Sequence, residues 1–387
     1  MKIQIDGTGM HNKGAELMLY AVLQEIERKY PHAEVLYNRI GEDISHIQTS
    51  LDFKMRRFAN NVIPLYYKFK VYGILRRLSI SIDYFTTKYV AQGIDVVLDA
   101  GGFQFSDQWK IDDAKLFSWE KYYQKLKKQG TKIILMPQAF GPFQTKNGKR
   151  SAKMIDSYAD VIFAREKVSY DYLVEAGVNQ DKIKLYPDFT ALVDGIIPER
   201  CKSLQGHVCI IPNMKMIDKG AVSMKRYLLL MSQLIQTIRE NGKEAFLLNH
   251  AEKQDASLCQ LINENIQNPL FIVNNLNALE VKGVISQSYM LVSSRYHGAA
   301  SALNTGVPCL ATSWSHKYEE LFKDYEQYDC LLEFSNIEKT LKKMNDFLSI
   351  ENNHLISEKL KMTKPIILLK NREMWEGIWK FLSKKEI

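Results

Sequence analysis

The feature that most constrains this chain is the alternation of short apolar runs with helix-like segments along most of its 387 residues. Runs such as KIQID, DVVLDAGG and KIILMPQ are apolar almost throughout, while AELMLYAVLQEIERKY carries apolar residues at helical spacing. Continuous apolar strands between amphipathic helices are typical of parallel sheets covered by helices on both faces. The sequence therefore predicts an α/β protein.

Two such series follow one another, and the polar, aperiodic segment IIPERCKSLQG at 196–206 separates them. The length also suits two domains. We therefore predict two doubly wound parallel-sheet domains, at 1–195 and 206–362, that face a cleft. The tail at 363–387 places Trp375, Trp379 and Phe381 near helical spacing, which predicts a C-terminal helix packed on one domain, with a return to the first domain kept open.

Composition excludes several classes of protein. No apolar run approaches the roughly 18 to 20 residues that span a bilayer, and MKIQIDGTG lacks the features of a signal peptide, so we expect a cytoplasmic protein. Five scattered cysteines without a Cys-x-x-Cys pair predict neither disulfides nor a thiolate metal site. The net charge of +8 favours anionic partners, but no nucleic-acid-binding module accompanies it, so we expect no nucleic acid partner.

The stretch at about 53–90 departs from the alternation because it interleaves Lys and Arg with aromatic and aliphatic residues. One interpretation is a basic amphipathic surface that contacts the inner membrane face or a lipid-linked substrate. The other is a helical insertion whose aromatic residues belong to the core and whose charges are solvated. Both interpretations stay open.

Ligands of such sheets bind beyond the carboxyl ends of the strands, so the residues after each apolar run are the candidates for a site. The first loop, DGTGMHNKGAE, either binds an anion at the N-terminus of the following helix or is a tight turn that needs its glycines. Its spacing matches neither the dinucleotide nor the P-loop fingerprint, which disfavours nicotinamide and ATP chemistry. Candidates at strand ends and loops in the first half are Asp6, Asn12, Glu16, Gly101, Gly102, Gln138, Arg165 and Asp188.

Two of these candidates have a structural alternative. Arg165 ends the run VIFAR, where its guanidinium is suited to carboxylate or phosphate oxygens, or else forms an ion pair with Glu166 or another nearby carboxylate. Asp188 follows a strand and a proline, so it either caps the next turn or faces the cleft. The spacing does not rank these alternatives.

The second half contains the strongest candidates. LVSSRYHGAA places Arg295 and His297 between a buried strand and a helix, where both can reach one ligand. An anion bound by Arg295 would hold the imidazole protonated as a general acid. The next strand end supplies Ser315, His316 and Lys317, which together with the first pair indicates an anion pocket. The spacing after LLNH is not that of a zinc protease, so we expect no metal.

With these residues in view, the chain resembles the polysaccharide pyruvyl transferase family. The matching segments are GTGMHNKGAELM, DVVLDAGGFQF, LMPQAFGPF, ADVIFAREKVSYDYL, YPDFTALV and SSRYHGAASALNTGVPCLATSWSHKYEEL. The resemblance implies two Rossmann-like domains of the GT-B type. It also implies transfer of the carboxyvinyl group of phosphoenolpyruvate onto two hydroxyls of a sugar in a surface or capsular polysaccharide precursor, as a cyclic pyruvate ketal with release of phosphate.

The resemblance also implies roles for residues. Arg165 and Arg295 would hold the carboxylate and phosphate of the donor, with His297 as the general acid. Ser315, His316 and Lys317 would bind the donor, and the remaining candidates of the first half would bind the acceptor. The first loop departs from the Asn-x-Gly-Asp form of many relatives, since NKGAE has Ala15 where the acid stands.

Phosphoenolpyruvate is a co-substrate in this interpretation, the acceptor is a sugar carried on a lipid, and no cofactor is expected. Two alternatives remain. A nucleotide-sugar-dependent glycosyltransferase of the GT-B type would also place basic groups in its second domain. A carbohydrate-binding or assembly protein could keep the fold without the activity.

Overall fold

The computed structural model describes residues 1–39, 42–55, 92–313 and 315–383. The chain forms two compact units. The first comprises Met1–Met10, Met18–Tyr186 and Met374–Ile387, and the second comprises His11–Leu17 and Pro187–Glu373. Most of the basic aromatic stretch predicted at about 53–90 lies outside the described residues, so both interpretations of it stay predictions.

The first unit is built on a seven-stranded sheet in which the strand order is β3-β2-β1-β4-β5-β6-β7. All of its strand pairs are parallel. The strands are β1 (Lys2–Asp6), β2 (Glu34–Tyr37), β3 (Asp52–Met55), β4 (Val96–Asp99), β5 (Lys132–Gln138), β6 (Val161–Ala164) and β7 (Ile183–Leu185). The central strands β4 and β5 are buried almost throughout because both faces of the sheet are covered.

Helices connect these strands, and the first of them covers nearly all of the predicted helical segment AELMLYAVLQEIERKY. They are α1 (Lys13–Lys29), α2 (Asp113–Lys128), α3 (Lys146–Tyr158) and α4 (Lys167–Glu175). Side-chain caps fix where they begin: Asp112 accepts the Lys115 N–H at 2.8 Å, and Glu166 accepts the Ser169 N–H at 2.7 Å.

The second unit has a five-stranded parallel sheet in the order β10-β9-β8-β11-β12. Its strands are β8 (Val208–Ile211), β9 (Ala245–Leu248), β10 (Phe271–Val273), β11 (Met290–Ser293) and β12 (Cys309–Ala311). The helices that follow are α5 (Lys215–Asp218), α6 (Met224–Glu240), α7 (Glu252–Glu264), α8 (Ala278–Ser286), α9 (Tyr296–Thr305), α10 (Lys317–Asp324) and α11 (Ile337–Leu348). The α/β class and the two doubly wound parallel sheets are thus confirmed.

The last helix, α12 (Ile350–Ser383), begins earlier than the predicted 363 and contains Pro365. Its first turns expose Leu355 and Met362, but Leu360 is fully buried and Ile356 packs against the core of the second unit. Trp375 and Trp379 are buried and stacked at 5.2 Å between ring centroids. Residues from Met374 on belong to the first unit. A return of the C-terminal helix to the first domain is one of the possibilities that the sequence leaves open. None of the helices among the described residues is long and apolar enough to cross a membrane.

The compact units differ from the predicted domains at residues 187–206. Pro187 and the residues after it belong to the second unit, where Phe189 is fully buried. The segment predicted as a linker holds a 3₁₀ helix, Glu199–Leu204, and Cys201 and Leu204 are part of the second unit's core. Two apolar residues in a polar segment carry no periodicity, so their burial could not be predicted from the pattern.

Candidate functional site

Both sheets have a point at which the strand order reverses. In the first sheet it lies between β1 and β4, and in the second between β8 and β11. At such a point, the loops after the two neighbouring strands lead away from each other in opposite directions. This leaves room for a ligand at the carboxyl ends of the strands. In the second unit, Arg295 and His297 directly follow β11, so they lie at this reversal.

Arg295 precedes α9 and is held by a carboxylate from another segment. Its Nε donates to Oδ2 of Asp255 at 2.8 Å and its Nη2 donates to Oδ1 at 2.6 Å. Asp255 is fully buried in the first turn of α7. The expected partner of Arg295 is a bound anion, whereas the structure provides a protein carboxylate. The Nη1 edge of the guanidinium is not used in this pair, and it carries two further N–H donors.

His297 lies in the first turn of α9 with 11% of its side chain exposed. Its Nε2 is 3.4 Å from Oδ2 of Asp188. On its other side the ring adjoins Gly14, because a Cβ on that residue would come within 2.6 Å of the His297 Cγ and still closer to Nδ1. Only glycine permits this approach.

Asp188 is fixed in place by its own turn. Its Oδ1 accepts the Thr190 N–H at 3.0 Å and also the Thr190 hydroxyl, and its carbonyl accepts from Asn371 at 3.2 Å. The sequence analysis left open whether Asp188 caps a turn or faces a ligand. The structure shows the cap, and it also places the second carboxylate oxygen beside His297.

Lys282 lies beneath this turn and is 1% exposed. Its Nζ donates to the Thr190 carbonyl at 3.0 Å. Burial lowers the pKa of Lys282 from its usual 10.5 to about 8, and the negative charges of Asp188 and Asp194 oppose that shift. A buried ammonium therefore supports the turn that carries Asp188.

His250 follows β9 and is 2% exposed. Burial lowers the pKa of His250 well below its usual range, and the positive charges of Arg295, His297 and Lys13 lower it further. The imidazole is therefore neutral at pH 7. Its Nδ1 has no hydrogen-bond partner among the described residues, and its carbonyl accepts the Lys13 N–H at 3.2 Å.

The first loop is divided between the units: its residues up to Met10 belong to the first unit and His11–Leu17 to the second. The predicted acceptor residues Asn12 and Glu16 lie in the second-unit part. Asn12 is exposed and accepts the Gly14 N–H at 3.0 Å, which caps the start of α1. Glu16 is fully buried, where it accepts from Lys13 Nζ at 2.6 Å and from the Ala278 N–H at 3.1 Å. The carboxylate of Glu16 therefore bonds to groups of the protein itself, which is a structural role.

The predicted donor residues after β12 lie half-buried at the start of α10. The Ser315 N–H donates to the Ser313 hydroxyl at 3.2 Å. His316 directly precedes the helix, and Lys317 Nζ lies 5.6 Å from the ring centroid of Tyr296, the residue between Arg295 and His297. The two strand ends of the prediction therefore do approach each other.

The first unit has a different set of groups at its reversal point. Asp6 and Asp99 are register partners at the ends of β1 and β4. The hydroxyl of Tyr122 and the amide of Gln4 donate to Asp6. Asp99 is 4% exposed, and burial followed by the charge of Asp6 raises its pKa to about 7.

Glycines and an amide shape this region. The Gly101 N–H donates to Asp99 at 3.0 Å, and Gln104 donates to both carboxylate oxygens at 2.7 Å. Gly7 has a φ of +77°, and a Cβ there would overlap Asp99 and Gly101. Gly102 lies beside Met18, whose Cε a Cβ would approach to 3.4 Å.

Gln138 ends β5, and Arg165 directly follows the neighbouring strand β6. Gln138 is fully buried, and neither of its side-chain polar atoms has a hydrogen-bond partner in the described part of the chain. The Arg165 N–H donates to the Gln138 carbonyl at 3.1 Å. Glu166, proposed as a structural partner of Arg165, caps α4 through Ser169.

Four residues of these clusters are not among the predicted site residues: Asp99, His250, Asp255 and Lys282. Asp99 ends an apolar run, and His250 and Asp255 lie in LLNHAEKQDA, a strand end considered only as a metal site. Lys282 lies within a helix, where charged residues are ordinarily solvated.

Solved structures share this fold. HepE from Anabaena, in complex with UDP and glucose, is 11% identical with a TM-score of 0.59, covering 97% of this chain and 98% of HepE. UDP-GlcNAc 2-epimerase from Methanocaldococcus jannaschii is 11% identical with a TM-score of 0.53, covering 91% and 94% of the two chains. At such identities the likeness shows the fold alone, which is the GT-B-like class with two Rossmann-like units.

A model of the polysaccharide pyruvyl transferase family matches residues 12–316. The chain therefore belongs to the polysaccharide pyruvyl transferase family, as the resemblance predicted. Amylovoran biosynthesis protein AmsJ of Erwinia amylovora is 20% identical over 210 residues, which are 48% of this chain and 50% of AmsJ. The chain thus spans about half the length of the curated relative it matches.

Proposed function

We propose that the protein transfers the carboxyvinyl group of phosphoenolpyruvate onto two hydroxyls of a sugar in a polysaccharide precursor. The observation that carries this proposal is the grouping of Lys13, Arg295 and His297 around the neutral His250 at the reversal point of the second sheet. Basic groups in a largely buried setting favour a small anion with more than one charge. Family membership adds that the transferred group is pyruvyl.

The reaction requires a positioned acid, because phosphoenolpyruvate accepts a hydroxyl at C2 only when its methylene carbon is protonated. In the proposal His297 donates that proton and the methylene becomes a methyl group. A sugar hydroxyl adds at C2 and loses its proton, and the C2–O bond to phosphate breaks. A second hydroxyl closes the ketal, and its proton leaves with the phosphate, so no electrons are exchanged. A general acid of this kind contributes roughly 10²- to 10⁴-fold in rate.

Arg295 has a defined part in this proposal. Asp255 holds its Nε and one Nη2 hydrogen, which fixes the plane of the guanidinium and leaves the Nη1 edge for a carboxylate or phosphate oxygen. Lys317 and His316 would support the phosphate. Arg165 would contact the donor. The candidates of the first unit would contact the acceptor, and these are Asp6, Gly101, Gly102 and Gln138. These roles follow from the resemblance.

The test incubates the protein with phosphoenolpyruvate and a panel of lipid-linked and aryl glycosides. Phosphate release and a mass gain of one pyruvate ketal on the acceptor are the expected results. His297→Ala should lose both while remaining folded. Arg295→Ala should also lose both, and it should be less stable because the buried Asp255 loses its partner. Near-normal turnover in either variant would refute the assignment. Transfer of sugar from uridine or guanosine diphosphate sugars instead would support the glycosyltransferase alternative.

A further inference from the structure

The C-terminal helix α12 carries an exposed apolar stripe that the proposed function does not use. Its members are Leu355, Met362, Ile366 and Leu369, whose exposed fractions are 52%, 77%, 53% and 55%. All four lie in the part of α12 that belongs to the second unit. We propose that this stripe docks on the surface of a membrane that contains anionic lipids, so that the second unit binds the bilayer peripherally.

The four side chains of the stripe share one face of the helix. They follow one another at intervals of seven, four and three residues. In an α-helix these intervals place them within an arc of about 60° and over a length of about 21 Å. Leu360 and Ile367 are buried in the core of the second unit, and they lie roughly 140° around the helix from the stripe. The helix therefore has two apolar faces, of which one packs on the core and the other is exposed.

The row of exposed apolar residues on one helix distinguishes the stripe from the rest of the second unit's surface. Other exposed apolar residues of this unit, such as Leu229 on α6 and Phe271 in β10, lie on separate elements. Single exposed apolar residues are ordinary on proteins in water, whereas a contiguous apolar patch marks a contact surface. The stripe therefore has the character of a contact surface.

The charges beside the stripe indicate which partner fits. From residue 355 to residue 372, the exposed charged side chains are one carboxylate, Glu358, and four cations, which are Lys359, Lys361, Lys370 and Arg372. Glu358 is paired with Lys361 at 2.8 Å, and the next carboxylates, Glu351 and Glu373, lie beyond the two ends of the stripe. Long cationic side chains can lie along an apolar surface while their charges reach lipid headgroups. An apolar face flanked by cations is the pattern of helices that bind anionic membrane surfaces.

A second copy of the chain is the alternative occupant of the stripe. Pairing two such stripes would bring the cations of one copy close to those of the other, and like charges across an interface oppose association. A bilayer with anionic lipids instead attracts the cations, and its acyl boundary takes up the apolar side chains. The charges therefore favour the membrane over self-association.

The experiment measures sedimentation of the protein with vesicles of phosphatidylcholine that contain roughly one third phosphatidylglycerol. We expect the wild-type protein to bind these vesicles, less strongly as the salt concentration rises. Met362→Gln/Ile366→Gln should weaken binding by roughly tenfold or more, because two side chains no longer enter the acyl boundary. Leu229→Gln/Phe271→Gln replaces two exposed apolar residues outside the stripe and should bind as the wild-type protein does.

A second pair of variants tests the charges. Lys359→Gln/Lys370→Gln should weaken binding to the anionic vesicles by roughly tenfold, and the wild-type protein should bind vesicles of phosphatidylcholine alone by at least as large a factor less. Both lysines are exposed, so thermal unfolding of this variant should match that of the wild-type protein. Equal binding to both kinds of vesicle would contradict the role given to the cations.

Three results would overturn the inference. The first is the absence of binding by the wild-type protein. The second is equal binding by the wild-type protein and Met362→Gln/Ile366→Gln, which would assign the membrane contact to another surface, such as the basic aromatic stretch at about 53–90. The third is a dimer in light scattering that this variant dissociates, which would assign the stripe to a second copy.

The vesicle measurement is separate from pyruvyl transfer, since it needs no substrate and changes no residue of the candidate site. Phosphate release from phosphoenolpyruvate with a soluble aryl glycoside should be equal in the wild-type protein and Met362→Gln/Ile366→Gln. A wild-type protein that binds anionic vesicles through the stripe but transfers no pyruvyl group would refute the proposed function and leave this inference in place.

Discussion

The two units use the same parallel-sheet architecture and place opposite chemistry at the reversal points of their sheets. The first unit has two adjacent carboxylates there, Asp6 and Asp99, bonded by tyrosine and glutamine side chains. The second has His250, Arg295 and His297. Since the fold is common to both, the fold does not decide the ligand. Under the proposed function, the basic groups of the second unit would bind the anion, and the carboxylates of the first unit would accept hydrogen bonds from sugar hydroxyls.

The largest expected effect concerns the ion pair of the second unit. Arg295→Met leaves the buried Asp255 carboxylate without its partner and should lower the free energy of unfolding by about 3 to 5 kcal/mol, measured by urea denaturation. The double variant Arg295→Met/Asp255→Leu removes both charges and should recover most of that stability without recovering binding of phosphoenolpyruvate. Recovery of binding in the double variant would show that Arg295 has only a structural role.

The next prediction concerns Asp99, in the carboxylate pair of the first unit. Its raised pKa of about 7, against the usual 3.8, means that the folded state retains a proton which the unfolded state has lost between those values. Stability should therefore fall as pH rises from about 4 to 7, by up to about 4 kcal/mol. Asp99→Asn should lack this decline. The difference between the two unfolding curves over pH isolates the effect, and equal curves would show that Asp99 is ionised throughout.

In the second unit, Lys282 should make the stability rise with pH, which is the opposite of the effect expected of Asp99. With a folded pKa of about 8 against 10.5, the unfolded state binds a proton between these values that the folded state does not. Stability should rise with pH over this interval, by about 3 kcal/mol. Lys282→Met should lack the rise. Lys364→Met, on α12, should reduce it, because the charge of Lys364 also lowers the pKa of Lys282. If stability still rises with pH in Lys282→Met, a group other than Lys282 causes the rise.

Gln138 is expected to have the smallest effect on stability. A buried amide without partners destabilises the fold by about 1 to 3 kcal/mol, so Gln138→Met should unfold at the same temperature as the wild-type protein or slightly higher. If the amide binds the acceptor, as predicted, the same variant should raise KM for the acceptor and leave phosphoenolpyruvate binding unchanged. A clear loss of thermal stability would instead mean that Gln138 is needed for packing.

Much of this comparison could be predicted from sequence, because it depends on residues close together in the chain. The run before Arg295 and the helix after it define a strand end, so the position of His297 follows from a single segment. The pairing of Asp188 with His297 depends on two segments far apart in sequence. The carboxylate on Arg295 also could not be foreseen, since Asp255 lies in a helix that shows no sign of burial. For the same reason the sequence does not reveal that the second half of the first loop joins the second unit, because the contacts of Lys13 with His250 and of Gly14 with His297 are long-range.

The central claim is that the basic cluster of the second unit binds a small phosphorylated acid. Titration calorimetry of the wild-type protein with phosphoenolpyruvate, repeated with His297→Gln and with Asp194→Asn, tests it most directly. The account predicts saturable binding to the wild-type protein and to Asp194→Asn, and binding weakened by roughly tenfold or more in His297→Gln. Equal affinity in all three proteins, or heat from uridine diphosphate sugars with none from phosphoenolpyruvate, would contradict it.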